Sequence, residues 1–465
     1  MQIDTGLEFA DLEPFVERFA DLAKGKVRRL EAAWNEEDGA PVFTREGRYA
    51  TKGWTDWTRG FQYGSQLLVF DLTDDEEFFD LGRRNTLGHM ARHVTHIGVH
   101  DHGFNIVSTY GNLRRLTREE RVIETRDALE LYDLAIKASG AVQAARWTTL
   151  HDGTGFIHSF NGPHSLFSDT IRSCRSLVLA HQLGHVLAGE NDRAINLLGR
   201  ALDHAANTAR YNVYYGEGRD VYDVPGRVCH ESLFNVTDGH YRCASTQQGY
   251  SPFTTWTRGL AWILLGYAEE LEAMGALPDI DFESHGGRSE VEGWMRRAAT
   301  VTAEYYIAQT ARDGIPYWDD GAPGLSQMPE WREAPSDPDN PYEPVDSSAA
   351  AIAAQGLLRL GHALGGEEGK RYTQAGLTTA RTLFSPPYLS EDPKHHGLVL
   401  HAVYHRPKNW DYLPAGSAVP RGESCMWGDY HALELAVYLQ RGHTEEDGEA
   451  GSRPYPAFFD QGDAL

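Results

Sequence analysis

Apolar residues recur at helical spacing along nearly the whole chain. In the first such run Leu12, Phe15, Val16, Phe19, Leu22, Ala23, Val27 and Leu30 fall on one face, the i, i+3, i+4 pattern of an amphipathic helix. The same period predicts helices over 61–72, 74–96, 104–116 and 119–145, then 169–187, 191–211 and 256–274. Further helices follow at 290–310, 347–364, 369–383 and 428–440. Strand signals are scarce. The best is Gly397-Leu398-Val399-Leu400-His401-Ala402-Val403-Tyr404, read as a hairpin edge. About a dozen helices therefore alternate with loops, some tight and some long, the latter at 214–254, 312–346 and 385–427. Loops of that length are uncommon in a compact domain unless they carry function. Helices paired in series, with long loops on one side, fit an all-α closed ring of helical hairpins whose inner helix ends line a central cleft. No linker interrupts the pattern, so residues 1–465 read as one domain.

Composition narrows the partners. The chain has 465 residues, 41 % hydrophobic and 11 % aromatic, with 11 Trp and 22 Tyr. That suffices for a large core and leaves rings for clefts in which sugars stack. Against 43 Lys and Arg stand 67 Asp and Glu, a formal net charge of −24, which argues against nucleic acid and anionic membranes as partners. The N-terminal residues lack the basic and apolar regions of a secretory signal, and no run of about 20 apolar residues exists. A cytoplasmic protein, monomeric or a small homo-oligomer, is the expectation. Cys174, Cys229, Cys243 and Cys425 show no CxxC spacing, and only Cys229–Cys243 merits checking as a disulfide.

Several chemistries are disfavoured by spacing. His93, His96, His100 and His102 do not form a zinc pattern and no HExxH is present, so neither a metal nor a cofactor is expected. There is no G-x-S-x-G elbow and no glycine-rich phosphate loop. Paired carboxylates remain. Asp101, in His100-Asp101-His102-Gly103-Phe104, and Asp169, before Thr170-Ile171-Arg172-Ser173, both lie at helix–loop junctions. Asp is also a favoured N-cap, so a capping role for Asp169 stands beside a catalytic one. If the two acids share a pocket, burial and like charge raise one pKa, and that group becomes the proton donor. Thr255-Trp256-Thr257-Arg258-Gly259-Leu260-Ala261-Trp262 puts a cation and flat rings at a helix opening, as does Trp54-Thr55-Asp56-Trp57-Thr58-Arg59-Gly60-Phe61.

With Gln248-Gly249, Asp313-Gly314-Ile315-Pro316-Tyr317-Trp318-Asp319, Asp346-Ser347-Ser348-Ala349 and Trp427-Gly428-Asp429-Tyr430, these blocks stand in the order found in the unsaturated glucuronyl hydrolases, glycoside hydrolase family 88. The chain resembles that family from about residue 54 to 439, by the order of its motifs. The resemblance implies an (α/α)6 barrel that removes a 4,5-unsaturated uronic acid from the non-reducing end of oligosaccharides made by polysaccharide lyases. It implies Asp169 as acid/base and Asp101 as its neighbour. His100, His230, Gln248, Arg258 and Trp262 would contact substrate or water, and Trp57 and Phe160 would stack on the ring. Alternatives are an unsaturated rhamnogalacturonyl or saturated-uronide hydrolase on the same barrel, or a non-catalytic carbohydrate-binding barrel. The chain departs from the family pattern: Phe160 stands for Trp, Arg59 for Asp, Gln247 for His and Val345 for Arg. The segment 172–175 lacks the usual Asn-Leu-Pro, and 211–227 is an insertion. Arg59, Arg172 and Arg175 are open to two readings, contacts to a sulfated or longer anionic substrate, or salt bridges.

Overall fold

Two sets of helices differ in how they are covered. A computed structural model describes residues 1–53, 56–446 and 458–459. Trp54, predicted beside Trp57, lies outside the described residues. Six helices are buried on nearly every side: Arg59–Thr73; Gly103–Gly111 continuing as Asn112–Arg118; Thr170–Ser173 continuing as Arg175–Gln182; Thr257–Gly275; Ser347–Leu364; and Met426–Glu446. Each packs on the next, and the last returns to the first, closing a ring. Glu13–Ala33, Glu76–His89, Arg126–Ala145, Leu197–Tyr211, Arg288–Gln309 and Gly366–Leu383 lie outside it, each against an inner partner. The outer helices bury one stripe, as Val16, Phe19, Ala23, Val27 and Leu30 do in Glu13–Ala33. The inner Ser347–Leu364 buries Ala349, Ala350, Ala351, Ala353 and Ala354, small residues that let neighbours close in around it. The fold is an (α/α)6 barrel. No described helix is long and apolar enough to cross a membrane.

Helix limits follow their caps. The helix predicted from 119 begins at Arg126, where Thr125 accepts from the Ala128 N–H. The helix predicted from 191 begins at Leu197, capped by Asn196, because Val186–Ala188 and Ala194–Asn196 pair as a hairpin; the same hairpin ends the preceding helix at Gln182. The helix predicted over 74–96 stops at His89. The expected strand at 397–404 does not form. Its Leu398 and Val399 N–H groups donate to the Asp429 carboxylate, leaving one isolated bridge from Leu389 to Val399. Strands occur instead as short segments of three to five residues in two-stranded hairpins and one three-stranded sheet. One sheet bears on function: Ser165–Phe167, Glu231–Phe234 and Tyr241–Ser245 run antiparallel with Phe167 opposite Glu231, so Asp169 and His230 leave it side by side. The four cysteines are free.

The three arginines open to two readings are structural. Arg59 pairs with Glu36. Arg172, fully buried, bridges Glu269 and Glu434 at 2.8 Å each, and Arg175 reaches Glu269 and donates to the Gly103 carbonyl. Close backbone packing accompanies that bond: a Cβ on Gly103 would lie 2.3 Å from the Ser173 oxygen, so only glycine fits. Replacing Arg172 with Met would leave two buried carboxylates short of a cation. The expected loss is about 3 kcal/mol or more in urea denaturation, since breaking a buried pair typically costs 3–5 kcal/mol. An unchanged midpoint would remove the cluster from the list of what holds the ring.

Candidate active site

The inner helices all begin at the same end of the ring. Trp57, Asp101, Asp169, Trp256 and Arg258 sit at or just before these starts, and all line one cavity of about 730 Å³. The starts after Thr58, His102, Asp169 and Trp256 carry no side-chain cap. The positive ends of the helix dipoles therefore face this region, a setting that favours an anion, while the Gly60 and Gly103 N–H groups are taken by Asn105 Oδ1 and Ser173 Oγ and that of Thr257 by the Trp318 carbonyl.

Asp169 heads its helix but does not cap it. Its Oδ2 takes a hydrogen bond from His100 Nε2 at 2.8 Å instead. The same Nε2 lies 3.7 Å from Oδ1 of Asp101, so one imidazole stands between the two acids. His230 Nε2 is 3.8 Å from Asp169 Oδ1, but its nearly fully buried ring is not part of the cavity lining. The backbone N–H groups of Gln247 and Gln248 donate to His230 Nδ1 at 3.0 and 3.3 Å, which leaves the ring proton on Nε2, facing Asp169. His230 Nε2 and Asp169 Oδ1 are both buried without a hydrogen-bond partner. Among the described residues no protein donor reaches the Asp101 carboxylate within hydrogen-bond distance, and it opens onto the cavity.

These positions pull the titrations apart. Burial pushes Asp101 up, the Asp169 charge adds to this, and His100 opposes it; the net value lies above that of an ordinary carboxyl. Burial pushes Asp169 up as well, but the hydrogen bond and charge of His100, with His230, outweigh it and hold Asp169 below the ordinary range. Burial lowers His100, and the two carboxylates more than offset that. His230 is driven by burial down to about 4 and is neutral at physiological pH. The raised acid is thus Asp101, whereas the family resemblance assigns proton donation to Asp169.

The remaining expected residues divide. Trp57 stacks on Trp427 at 5.1 Å, and Phe160 lies parallel to the His100 ring at 6.2 Å; both are half-buried on the cavity wall. Trp262 is buried against Phe104 at 4.9 Å and forms part of the floor. Arg258 lines the cavity, but its guanidinium donates to the carbonyls of Val403 and Tyr404 and to Gln248 Oε1 at 2.9 Å, between the faces of Trp256 and Trp427. It orients Gln248, with little donor capacity left over. Sequence reasoning missed Val99, Phe167, Tyr404, His405, Lys408 and Trp410, which complete the wall. The last four belong to the long 385–427 loop, whose length was the only signal.

His100, Asp101 and Asp169 are the one trio of metal-capable donors, within 4.8 Å of each other, among the described residues. Two donors about 2.0–2.1 Å from one zinc in tetrahedral geometry stand roughly 3.3 Å apart. The 2.8 Å between His100 and Asp169 is hydrogen-bond spacing and suits a proton.

No family model matches the chain. The unsaturated glucuronyl hydrolase of Bacillus sp. (strain GL1) is 26 % identical over 401 residues, covering 85 % of this chain and 89 % of that protein. Over most of its length the chain is homologous to proteins named unsaturated glucuronyl hydrolase. The unsaturated chondroitin disaccharide hydrolase of Streptococcus pyogenes serotype M1 is 23 % identical over 428 residues, 90 % of this chain and 89 % of that one. Among solved structures, an unsaturated glucuronyl hydrolase specific for heparin superposes with a TM-score of 0.69 at 19 % identity, spanning 95 % of this chain and all of its own. The Bacillus sp. GL1 hydrolase gives 0.65 at 22 %, over 91 % and 96 %. At these identities the superpositions establish the shared barrel.

The site makes a prediction about stability. His100 is raised when folded, so its contribution is complete below its ordinary value of about 6.5 and is lost as pH climbs through the raised one. The stability gap between wild type and His100→Gln, from urea melts, should narrow from pH 6 to pH 9. A gap that widened would contradict the ion pairing.

Proposed function

We propose that this chain is a glycoside hydrolase that removes 4,5-unsaturated uronic acid from the non-reducing end of lyase-generated oligosaccharides. The observation that carries the reading is the pair Asp101 and Asp169, brought with His100 into one aromatic-walled cavity at the N-terminal ends of the inner helices, with His230 3.8 Å from Asp169. Homology to hydrolases named for such substrates supports it.

The chemistry follows from the substrate. An unsaturated uronate contains a vinyl ether. Asp169 delivers a proton to C4, the π electrons form the new C4–H bond, and positive charge develops at C5, shared with the ring oxygen. In this reading Asp101, 3.7 Å from the same imidazole as Asp169, stabilises that charge and steers protonation. Water adds at C5 and gives its proton to Asp169, regenerating the acid. The resulting hemiketal opens and expels the neighbouring sugar. No carboxylate nucleophile is needed, so the separation rule for retaining and inverting glycosidases does not apply. In this reading Gln248, held by Arg258, and His230, with Nε2–H facing Asp169 Oδ1, bind uronate hydroxyls or the attacking water. Trp57 and Phe160 offer faces for the sugar ring, over the floor made by Trp262. In this reading residues 1–465 form one catalytic domain, cytoplasmic and monomeric or a small homo-oligomer, and the reaction uses no cofactor.

The test is consumption of an unsaturated disaccharide, followed as loss of ultraviolet absorbance. Asp169→Asn should lose nearly all turnover, a drop of about 10³-fold or more, while still binding substrate, since it removes the acid but keeps the shape. Wild-type turnover in that variant would sink the role given to Asp169. A panel of disaccharides from glycosaminoglycan and rhamnogalacturonan lyases would separate the glucuronyl from the rhamnogalacturonyl activity.

A further inference from the structure

The arrangement leaves a question about where the proton comes from. In the hydrolase reading Asp169 protonates the substrate, yet it is held by a hydrogen bond from an imidazole. Its other oxygen has no partner. The hydrogen between His100 Nε2 and Asp169 Oδ2 is therefore the one at hand. His100 is itself screened from water: 2 % exposed, with Phe160 lying parallel to its ring and Phe167 edge-on. Its Nδ1 is buried without a partner, so Nε2 is its only outlet, and that outlet faces both carboxylates.

We propose that His100 is a positioning residue that stores the proton Asp169 delivers to the substrate, so that His100 and Asp169 work as one proton-carrying unit. This rests on the hydrolase reading above. The imidazolium passes its Nε2 hydrogen 2.8 Å to Asp169 Oδ2, leaving a neutral ring with its hydrogen on Nδ1. Nε2 then accepts the hydrogen bond it formerly donated, so the contact is kept with its direction reversed. Asp169 gives the proton to C4. When water attacks C5, its released proton goes to Asp169 Oδ2 and from there back to Nε2, and the cycle closes with no net gain or loss. The charges that set the balance are Asp101 and Asp169 at the ring, with Arg146, His158, His204 and His230 around them. The depressed titration of Asp169 ceases to be an obstacle, because the unit is charged through the histidine.

His100→Gln tests this, because a glutamine amide can donate to Asp169 but cannot give up its hydrogen. The expected result is KM within about threefold of wild type and kcat lower by about 10²-fold or more, the usual weight of a proton-transfer group. The alkaline limb of the kcat profile should also move toward acid by more than about one pH unit, from a histidine-like to a carboxyl-like value. A variant with wild-type kcat would overturn the proposal, as would a fall in kcat with no movement of the limb, which a purely structural role produces. A second readout does not depend on turnover. Nitrogen-15 NMR of histidine-labelled protein should find His100 protonated on both nitrogens to higher pH in wild type than in Asp169→Asn. Equal titrations would overturn the coupling. If wild type ignored every unsaturated disaccharide while this NMR difference held, the hydrolase reading would fail and the coupled pair would stand.

Discussion

The buried ion cluster of Arg172, Arg175, Glu269 and Glu434 is the constraint on which the ring depends. It joins three inner helices where no water reaches, and Arg175 adds a fourth through the Gly103 carbonyl. In a low-dielectric interior such groups are tolerated only when every charge is matched, so the helices must meet in one register. Both acids of the site hang from this cluster. Asp169 lies three residues before Arg172 on the same helix. Asp101 lies two residues before Gly103, whose carbonyl the cluster holds. The distance between the two carboxyl groups is thus set from beneath, by charges that never touch the cavity.

The whole chain is strongly acidic, yet the cavity lies at the positive ends of inner helices and beside the Arg258 guanidinium. A small anion would find here a local attraction that the outer surface denies it. Within this field a single imidazole decides how two similar carboxyls differ. The one it bonds is held ionised, and the one it merely approaches is left to the effect of burial.

The helices were legible because the 3.6-residue period dominates the chain, and the ring followed from their number and from the distribution of long loops. Boundaries were misread where a hairpin of three-residue strands, such as Val186–Ala188 with Ala194–Asn196, is too short to show an alternation and its Val, Leu and Ile pass for a continuing helix face. The segment 397–404 has a strand's composition, but Asp429 takes two of the N–H groups that a strand would need. Asp101 and Asp169 stood out as junction carboxylates. Nothing local marked Tyr404, His405, Lys408 or Trp410, whose approach to the cavity depends on the path of a long loop. The arginines after Asp169 resembled a binding patch in sequence. Their partners, Glu269 and Glu434, lie about a hundred and more than two hundred and fifty residues away, a pairing that periodicity does not encode.

The gathering of inner helix starts at one end has an evolutionary consequence. The acids belong to the scaffold, and much of the wall around them comes from the connections after residues 212 and 384, which enter and leave at that end. Selection can lengthen, shorten or redecorate those connections without disturbing the ion cluster beneath. Substrate preference can therefore diverge among barrels that keep one arrangement of acids.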